Sequence, residues 1–113
     1  MPFIDCRTAV KLSRETCERI KTRLGRAIAV LNKPESYLMI GFTDGYDLWF
    51  AGKRAAQGAY VSVSLFGGAS ASACEKMTAQ ICSILQEEAN VLPSQTYVSY
   101  HPVENWGWNG SDF

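Results

Sequence analysis

Ser13-Arg14-Glu15-Thr16-Cys17-Glu18-Arg19-Ile20-Lys21-Thr22-Arg23-Leu24-Gly25-Arg26-Ala27-Ile28-Ala29-Val30-Leu31 is the stretch whose reading decides the fold. Within it Cys17, Ile20, Leu24, Ala27, Ile28 and Leu31 recur at offsets of 0, 3, 7, 10, 11 and 14. That spacing is one face of a helix with a period of about 3.6 residues. Ser13 stands where an N-cap belongs, and Pro34 ends the pattern. The pattern returns 57 residues later, with Cys74, Met77, Ile81, Ile84 and Leu85 at offsets of 0, 3, 7, 10 and 11. Ser72 and Glu75 have capping-box spacing there, Ser70 also fits as the cap, and Asn90 and Pro93 mark the exit.

Each helix is flanked by strand-like runs. Phe3–Arg7 and Tyr60–Leu65 precede the helices, and Tyr37–Ile40 and Thr96–Tyr100 follow them, each through a proline turn. The chain therefore reads as two β-α-β repeats in one domain over residues 1–113. The fold class is α+β (an α/β sandwich): a four-stranded mixed sheet with short edge strands. Crossovers between parallel strands are right-handed, which puts the two helices on one face. Asp44-Gly45 reads as a hairpin turn pairing Leu38–Phe42 with Leu48–Phe50. The tail Trp106-Gly107-Trp108-Asn109-Gly110 has turn residues between aromatics and reads as a last short strand. Leu38-Met39-Ile40 and Leu48-Trp49-Phe50 are apolar at consecutive positions, as in strands buried on both faces. One short chain has no second layer to offer, so the sequence implies a homo-oligomer packed through the sheet.

Composition sets limits. Apolar residues make up 47% of 113, enough for a core, and 11 basic residues balance 11 acidic ones. A nucleic-acid binder shows a basic excess or stripe, and a membrane span needs a long apolar run; neither is present. Asp5 and Arg7 interrupt any signal-peptide core, so a cytoplasmic location is expected. Cys6, Cys17, Cys74 and Cys82 make no C-x-x-C pair and have only His101 for company, which argues against zinc or a redox dithiol. Cys17, Cys74 and Cys82 fall on the apolar helix stripes, where they read as small core residues.

Pro2 carries the unusual chemistry. Removal of Met1 gives it a free secondary amine, and an α-amino group has a pKa of about 7.7–8.0 in water. Apolar surroundings lower that value and leave a neutral general base. Read plainly, Pro2 only follows an initiator methionine. Lys33 offers a clamp for a carboxylate or oxyanion, or simply a cation at a helix C-terminus. Trp106, Trp108 and Phe113 suit an oligomer interface, His101 has no triad partner, and Lys53-Arg54 reads as solvated surface. The starts of the first, second and fifth strands bring Pro2, Lys33 and Tyr97 together either at one end of the sheet or across a subunit boundary.

Met1-Pro2, Lys33-Pro34-x-x-Tyr37-x-Met39, Leu48-Trp49-Phe50-x-Gly52, Ser64-Leu65, Tyr97 and Gly107-Trp108-Asn109-Gly110-Ser111-x-Phe113 occur in the order of one family. Over nearly its whole length the chain resembles the macrophage migration inhibitory factor (MIF) family of the tautomerase superfamily. The resemblance implies a homotrimer with active sites at subunit boundaries. It implies keto–enol tautomerisation of phenylpyruvate-like acids and isomerisation of dopachrome-like compounds, with no cofactor and no metal. The substrate class is a small aromatic 2-keto acid or its enol. Pro2 is then the catalytic base and Lys33 the holder of substrate oxygen. The Leu65 backbone N–H, with Ser64 beside it, donates to the same region. Tyr97 comes from a neighbouring subunit, Trp108 and Phe113 wall the pocket, and Tyr37 sits at its rim.

The same resemblance carries a second expectation: a secreted, cytokine-like immune modulator that meets a cell-surface receptor after release by a non-classical route. A ferredoxin-like nucleic-acid domain is the third and weakest reading, since no basic-aromatic run supports it. Gln57-Gly58-Ala59-Tyr60 stands where some members carry C-x-x-C, so no thiol oxidoreductase activity is expected. Phe66 replaces a glycine, which implies a narrower pocket or a redirected N–H donor; Ser99, a shorter hydrogen-bonding group, replaces an asparagine; and Trp106 replaces a smaller apolar residue, which implies a tighter pocket. Retention of Met1 would make the Pro2 nitrogen a tertiary amide with no basic lone pair.

Overall fold

In the computed structural model, β1 (Pro2–Thr8) leads into α1 (Arg14–Ala27), and a 3₁₀ turn over Ile28–Leu31 continues the helix. A second 3₁₀ turn, Glu35–Tyr37, precedes β2 (Met39–Thr43). Two short strands follow, β3 (Trp49–Phe50) and β4 (Lys53–Arg54). The second unit is β5 (Ala59–Phe66), α2 (Ala71–Ala89), a 3₁₀ turn over Pro93–Gln95 and β6 (Thr96–Val103). A hairpin of β7 (Gly107–Trp108) and β8 (Ser111–Asp112) ends the chain. The main sheet runs β2-β1-β5-β6. β1 is parallel to β2, β5 is parallel to β6, and the two units join through antiparallel β1 and β5.

Alternation within the strands decides which face is covered. β1 buries Pro2, Ile4, Cys6 and Thr8; β5 buries Ala59, Val61, Val63 and Leu65. These side chains share one core with Ile20, Leu24 and Ile28 of the first unit and Met77, Ile81 and Leu85 of the second. Both helices therefore lie on the same face. Each fully buried Leu, Ile or Met contributes about 1.5–3 kcal/mol of transfer free energy, so this shared core holds the two units together. The 57-residue shift extends to the caps. Ser13 Oγ accepts from Thr16 N–H, and Ser70, 57 residues on, accepts from Ala73 N–H. Ser70, not Ser72, is the cap of α2. Asn90 ends it in the left-handed region at φ 56°.

Four expectations need correction. Asp44-Gly45 does not make the hairpin: only Gly45 has positive φ, where a two-residue I′ turn requires two such residues. Asp44 instead accepts from Leu12 N–H at 2.8 Å, and Tyr46 N–H donates to the Thr8 carbonyl at 2.9 Å, folding the turn back on the end of β1. β2 is left as an edge strand, and the hairpin forms one segment later. There Ala51 (φ 53°) and Gly52 (φ 79°) join β3 to β4. Tyr37 belongs to the 3₁₀ turn rather than to a strand, so β2 begins at Met39.

The consecutive apolar residues are not buried on both sides either: Met39 is 67% exposed and Trp49 61%. The cysteine in the core is Cys6 on β1, whereas Cys17, Cys74 and Cys82 lie half-buried on the helix flanks. The uncovered sheet face is largely polar. Asp5 pairs with Arg7 at 3.1 Å, and Tyr60 Oη, Ser99 Oγ and His101 Nε2 form a chain with links of 2.6 and 2.8 Å. Lys53-Arg54 is exposed, with Arg54 paired to Asp47 at 3.2 Å.

Two outcomes follow. Ser70→Ala destabilises the protein by about 1 kcal/mol and Ser72→Ala by far less, since only Ser70 satisfies a helix N–H. Urea unfolding at fixed protein concentration separates them. Burial pushes the Cys6 thiol up to about 12, with Cys17 and Asp5 adding to the rise. Cys6 therefore resists a thiol reagent at pH 8 in the native protein and reacts once the chain is unfolded in urea, as mass spectrometry of the labelled cysteine will read.

Candidate active site

The start of β1 meets the end of β5. Pro2 is buried and lies opposite Leu65 in the antiparallel register. Ahead of it the Met1 carbonyl accepts from Phe66 N–H at 3.1 Å. Lys33 arrives from the first helix. Asn32 takes φ 58°, reversing the chain after the 3₁₀ turn, and Lys33 Nζ then donates to the Phe66 carbonyl at 3.0 Å. Phe66 thus bridges the amino terminus and the lysine.

A cleft of about 640 Å³ opens between this end of the sheet, the Glu35–Tyr37 turn and the C-terminal hairpin. Eight of its thirteen lining residues are hydrophobic. Met1, Pro2, Tyr37, Ser64, Trp106 and Trp108 line it. In the tail hairpin Asn109 and Gly110 both take positive φ, and Phe113 N–H donates to the Trp106 carbonyl at 3.1 Å. This closure sets the aromatic wall. Tyr37 meets Trp108 edge-on at 5.6 Å, Trp108 stacks on Phe113 at 6.1 Å, and Phe113 lies 5.8 Å from Phe66.

The cleft acts on the terminal amine. The Met1 ammonium is held below the usual α-amino pKa, first by burial and then by the Lys33 cation. A neutral amine in such a place accepts a proton, and the lysine offers positive charge to an anion beside it. No three His, Cys, Asp or Glu side chains gather as metal ligands, and no helix is long and apolar enough to cross a membrane. A second cleft, along the helices, has no hydrophobic lining. Within it Glu88 pairs with Arg19 at 2.9 Å and with Arg23 at 3.2 Å.

Pro2, Tyr37, Ser64 and Trp108 share the cleft. Lys33 reaches its edge through Phe66, and Phe113 reaches it through Trp108. The Leu65 side chain points into the core. Tyr97 is not with them. It pairs with Tyr60, whereas Pro2 pairs with Leu65, five residues along β5. At about 3.4 Å per residue that is about 17 Å. Convergence of Pro2 and Tyr97 at one end of a single sheet is therefore excluded. Tyr97, 66% exposed, packs against Phe50 of the β3–β4 hairpin at 5.4 Å. Phe66 is the residue whose position sequence reasoning left undefined. Its only signal was an aromatic at a glycine position.

The family described as macrophage migration inhibitory factor (MIF) has a sequence profile that matches residues 1–113. Leishmania major MIF2 is 30% identical, with 100% of this chain and 97% of that chain covered and a TM-score of 0.93. The MIF homologue of Prochlorococcus marinus is 23% identical, covering 98% of each chain, with a TM-score of 0.87. The MIF-like protein of Entamoeba histolytica is 19% identical, covering 99% and 98%, with a TM-score of 0.88. At those lower identities the likeness is one of fold. Comparison with curated proteins finds no match.

Proposed function

This chain belongs to the macrophage migration inhibitory factor family, and on that premise we propose that it is a cofactor-free keto–enol tautomerase of the phenylpyruvate and dopachrome type, with Pro2 as general base. The observation that carries the reading is the lowered pKa of the amino terminus in an apolar cleft beside Lys33. Once Met1 is removed, the same burial and the same cation act on the Pro2 nitrogen.

In the proposed step the neutral Pro2 amine takes a proton from the carbon beside the substrate carbonyl. The C–H electron pair becomes the carbon–carbon double bond, and the carbonyl oxygen becomes the enolate. Lys33 balances the developing negative charge. The Pro2 ammonium or water then delivers a proton to that oxygen, giving the enol. The reverse sequence makes the ketone. Tyr37, Trp108 and Phe113 hold the aromatic ring of the substrate, and Ser64 is a further polar contact.

Tyr97 completes a site only from a neighbouring copy, since it lies about 17 Å from Pro2 along its own sheet. This supports a homotrimer with shared sites. Its apolar contacts are then those left exposed at the sheet edges, Met39 and Tyr97, and on the β3–β4 hairpin.

The pH dependence is directional. The neutral amine is the active form, so kcat/KM falls as pH drops through a pKa lying below the ordinary α-amino range. Removing the Lys33 charge raises that pKa. Lys33→Gln therefore moves the acid limb to higher pH, besides weakening substrate binding. A limb that stays in place or moves lower would contradict the assignment. Protein that retains Met1 is inactive; mass spectrometry and a phenylpyruvate assay on one sample check this. Pro2→Gly and Tyr97→Ala are each impaired as pure proteins. Co-refolding them in equal amounts restores about one quarter of the sites if the trimer mixes at random. Recovery absent from a demonstrably mixed trimer would show that Tyr97 does not act across the boundary.

A further inference from the structure

The Phe66 side chain does not do what its position led us to expect. Its ring does not narrow the cleft, since Phe66 is not among the residues that line it. The ring faces the C-terminal hairpin instead, 5.8 Å from Phe113. Phe113 stacks on Trp108 at 6.1 Å, and Trp108 meets Tyr37 edge-on at 5.6 Å. Four rings thus run in series from the end of β5 to the Glu35–Tyr37 turn. Of these, Trp108 and Tyr37 line the cleft, and Phe113 and Phe66 stand behind them.

The hairpin needs such a support. Its backbone hydrogen bonds are internal: β7 pairs only with β8, and Phe113 N–H donates to the Trp106 carbonyl. Trp108 is 52% exposed and Phe113 58%, so burial does little to fix either ring. Ring contacts reach the body of the molecule at Tyr37 and at Phe66. Tyr37 is itself exposed, on a 3₁₀ turn of three residues. Phe66 is the firmer end. It pairs with Val103 in the β5–β6 register, its carbonyl accepts from Lys33 Nζ at 3.0 Å, and the next N–H, that of Gly67, donates to the Val103 carbonyl at 3.1 Å.

We propose that the Phe66 ring is a positioning residue: it latches the C-terminal hairpin through Phe113 and so holds Trp108 ready for the ring of the substrate. This deepens the tautomerase reading and rests on it. A glycine in this place would leave Phe113 without the ring it packs on. Trp108 would then have to be ordered as the substrate binds, and that cost falls on affinity. The reacting atoms are not involved. Lys33 is held by the backbone carbonyl of Phe66, which a change of side chain leaves in place.

The test uses protein beginning at Pro2 and phenylpyruvate as substrate. Phe66→Ala is expected to raise KM at least about threefold, on the scale of one ring–ring contact, with kcat within about twofold of the parent. Phe66→Tyr keeps the parent KM. Phe66→Ala combined with Phe113→Ala is no worse than Phe113→Ala alone, because both changes break the same link. The acid limb of the kcat/KM profile stays where it is, since the Lys33 contact survives. A rise in KM below about threefold, a loss carried by kcat, additive effects in the double variant or a displaced limb overturns the proposal.

Glycine labelling with ¹⁵N gives a readout that needs no turnover. In the parent the Gly107 amide of β7 should be as ordered on the picosecond-to-nanosecond timescale as the Gly41 amide of β2. In Phe66→Ala the Gly107 amide loses order and Gly41 does not. Should that variant fail to fold, Phe66→Leu, which keeps apolar bulk and lacks the ring, replaces it in both measurements. A Gly107 amide equally ordered with and without the ring overturns the proposal. Parent protein whose hairpin is ordered through Phe66 but which does not turn over phenylpyruvate overturns the tautomerase reading, and the latch stands.

Discussion

The antiparallel pairing of β1 with β5 is the constraint on which the rest of the molecule depends. It sets Pro2 opposite Leu65 and Thr8 opposite Ala59, and so joins two similar units head to tail. A slip of one residue would turn Ile4 and Cys6 away from the helices and bring Phe3 and Asp5 into the core. The register is held because both strands bury every second side chain against a single core. It also fixes where the strands end, which is why the amino terminus, Phe66 and Lys33 meet at one corner of the sheet.

The same alternation explains the other face. Asp5, Arg7, Ser62, Ser64, Ser99 and His101 all fall on the side away from the helices, and several bond to one another. The large exposed apolar side chains stand at the margins of this same face, Met39 on one edge strand and Tyr97 on the other, with Trp49 on the short hairpin.

Much of the fold was legible because it is written twice. The helix stripes repeat with the same offsets, and so do the cap serines. The Asn109-Gly110 turn was equally plain. The misread turn at Asp44-Gly45 has a physical cause. Its local signal is strong, but its hydrogen bonds go to residues distant in sequence, Leu12 and Thr8, which no local rule contains. Ala51 is the converse case, a residue without turn character held at positive φ. Of the candidate site, Pro2, Lys33 and the aromatic tail stood out by residue type and by resemblance. The bridge that Phe66 makes between the amino terminus and Lys33 could not be read, because it is carried by a backbone N–H and carbonyl, and these are common to almost every residue.

The C-terminal hairpin has a practical consequence. Phe113 is pinned to Trp106 and stacked on Trp108, so it backs the aromatic wall that faces the amino terminus. Met1 and Pro2 of the first strand and Trp106 and Trp108 of the tail hairpin thus share one cavity. An affinity tag or reporter fused before Pro2 removes the amine outright, and one fused after Phe113 emerges beside the cleft mouth. A label that leaves the cleft untouched belongs on the opposite side of the molecule, along the solvent-facing surface of α2.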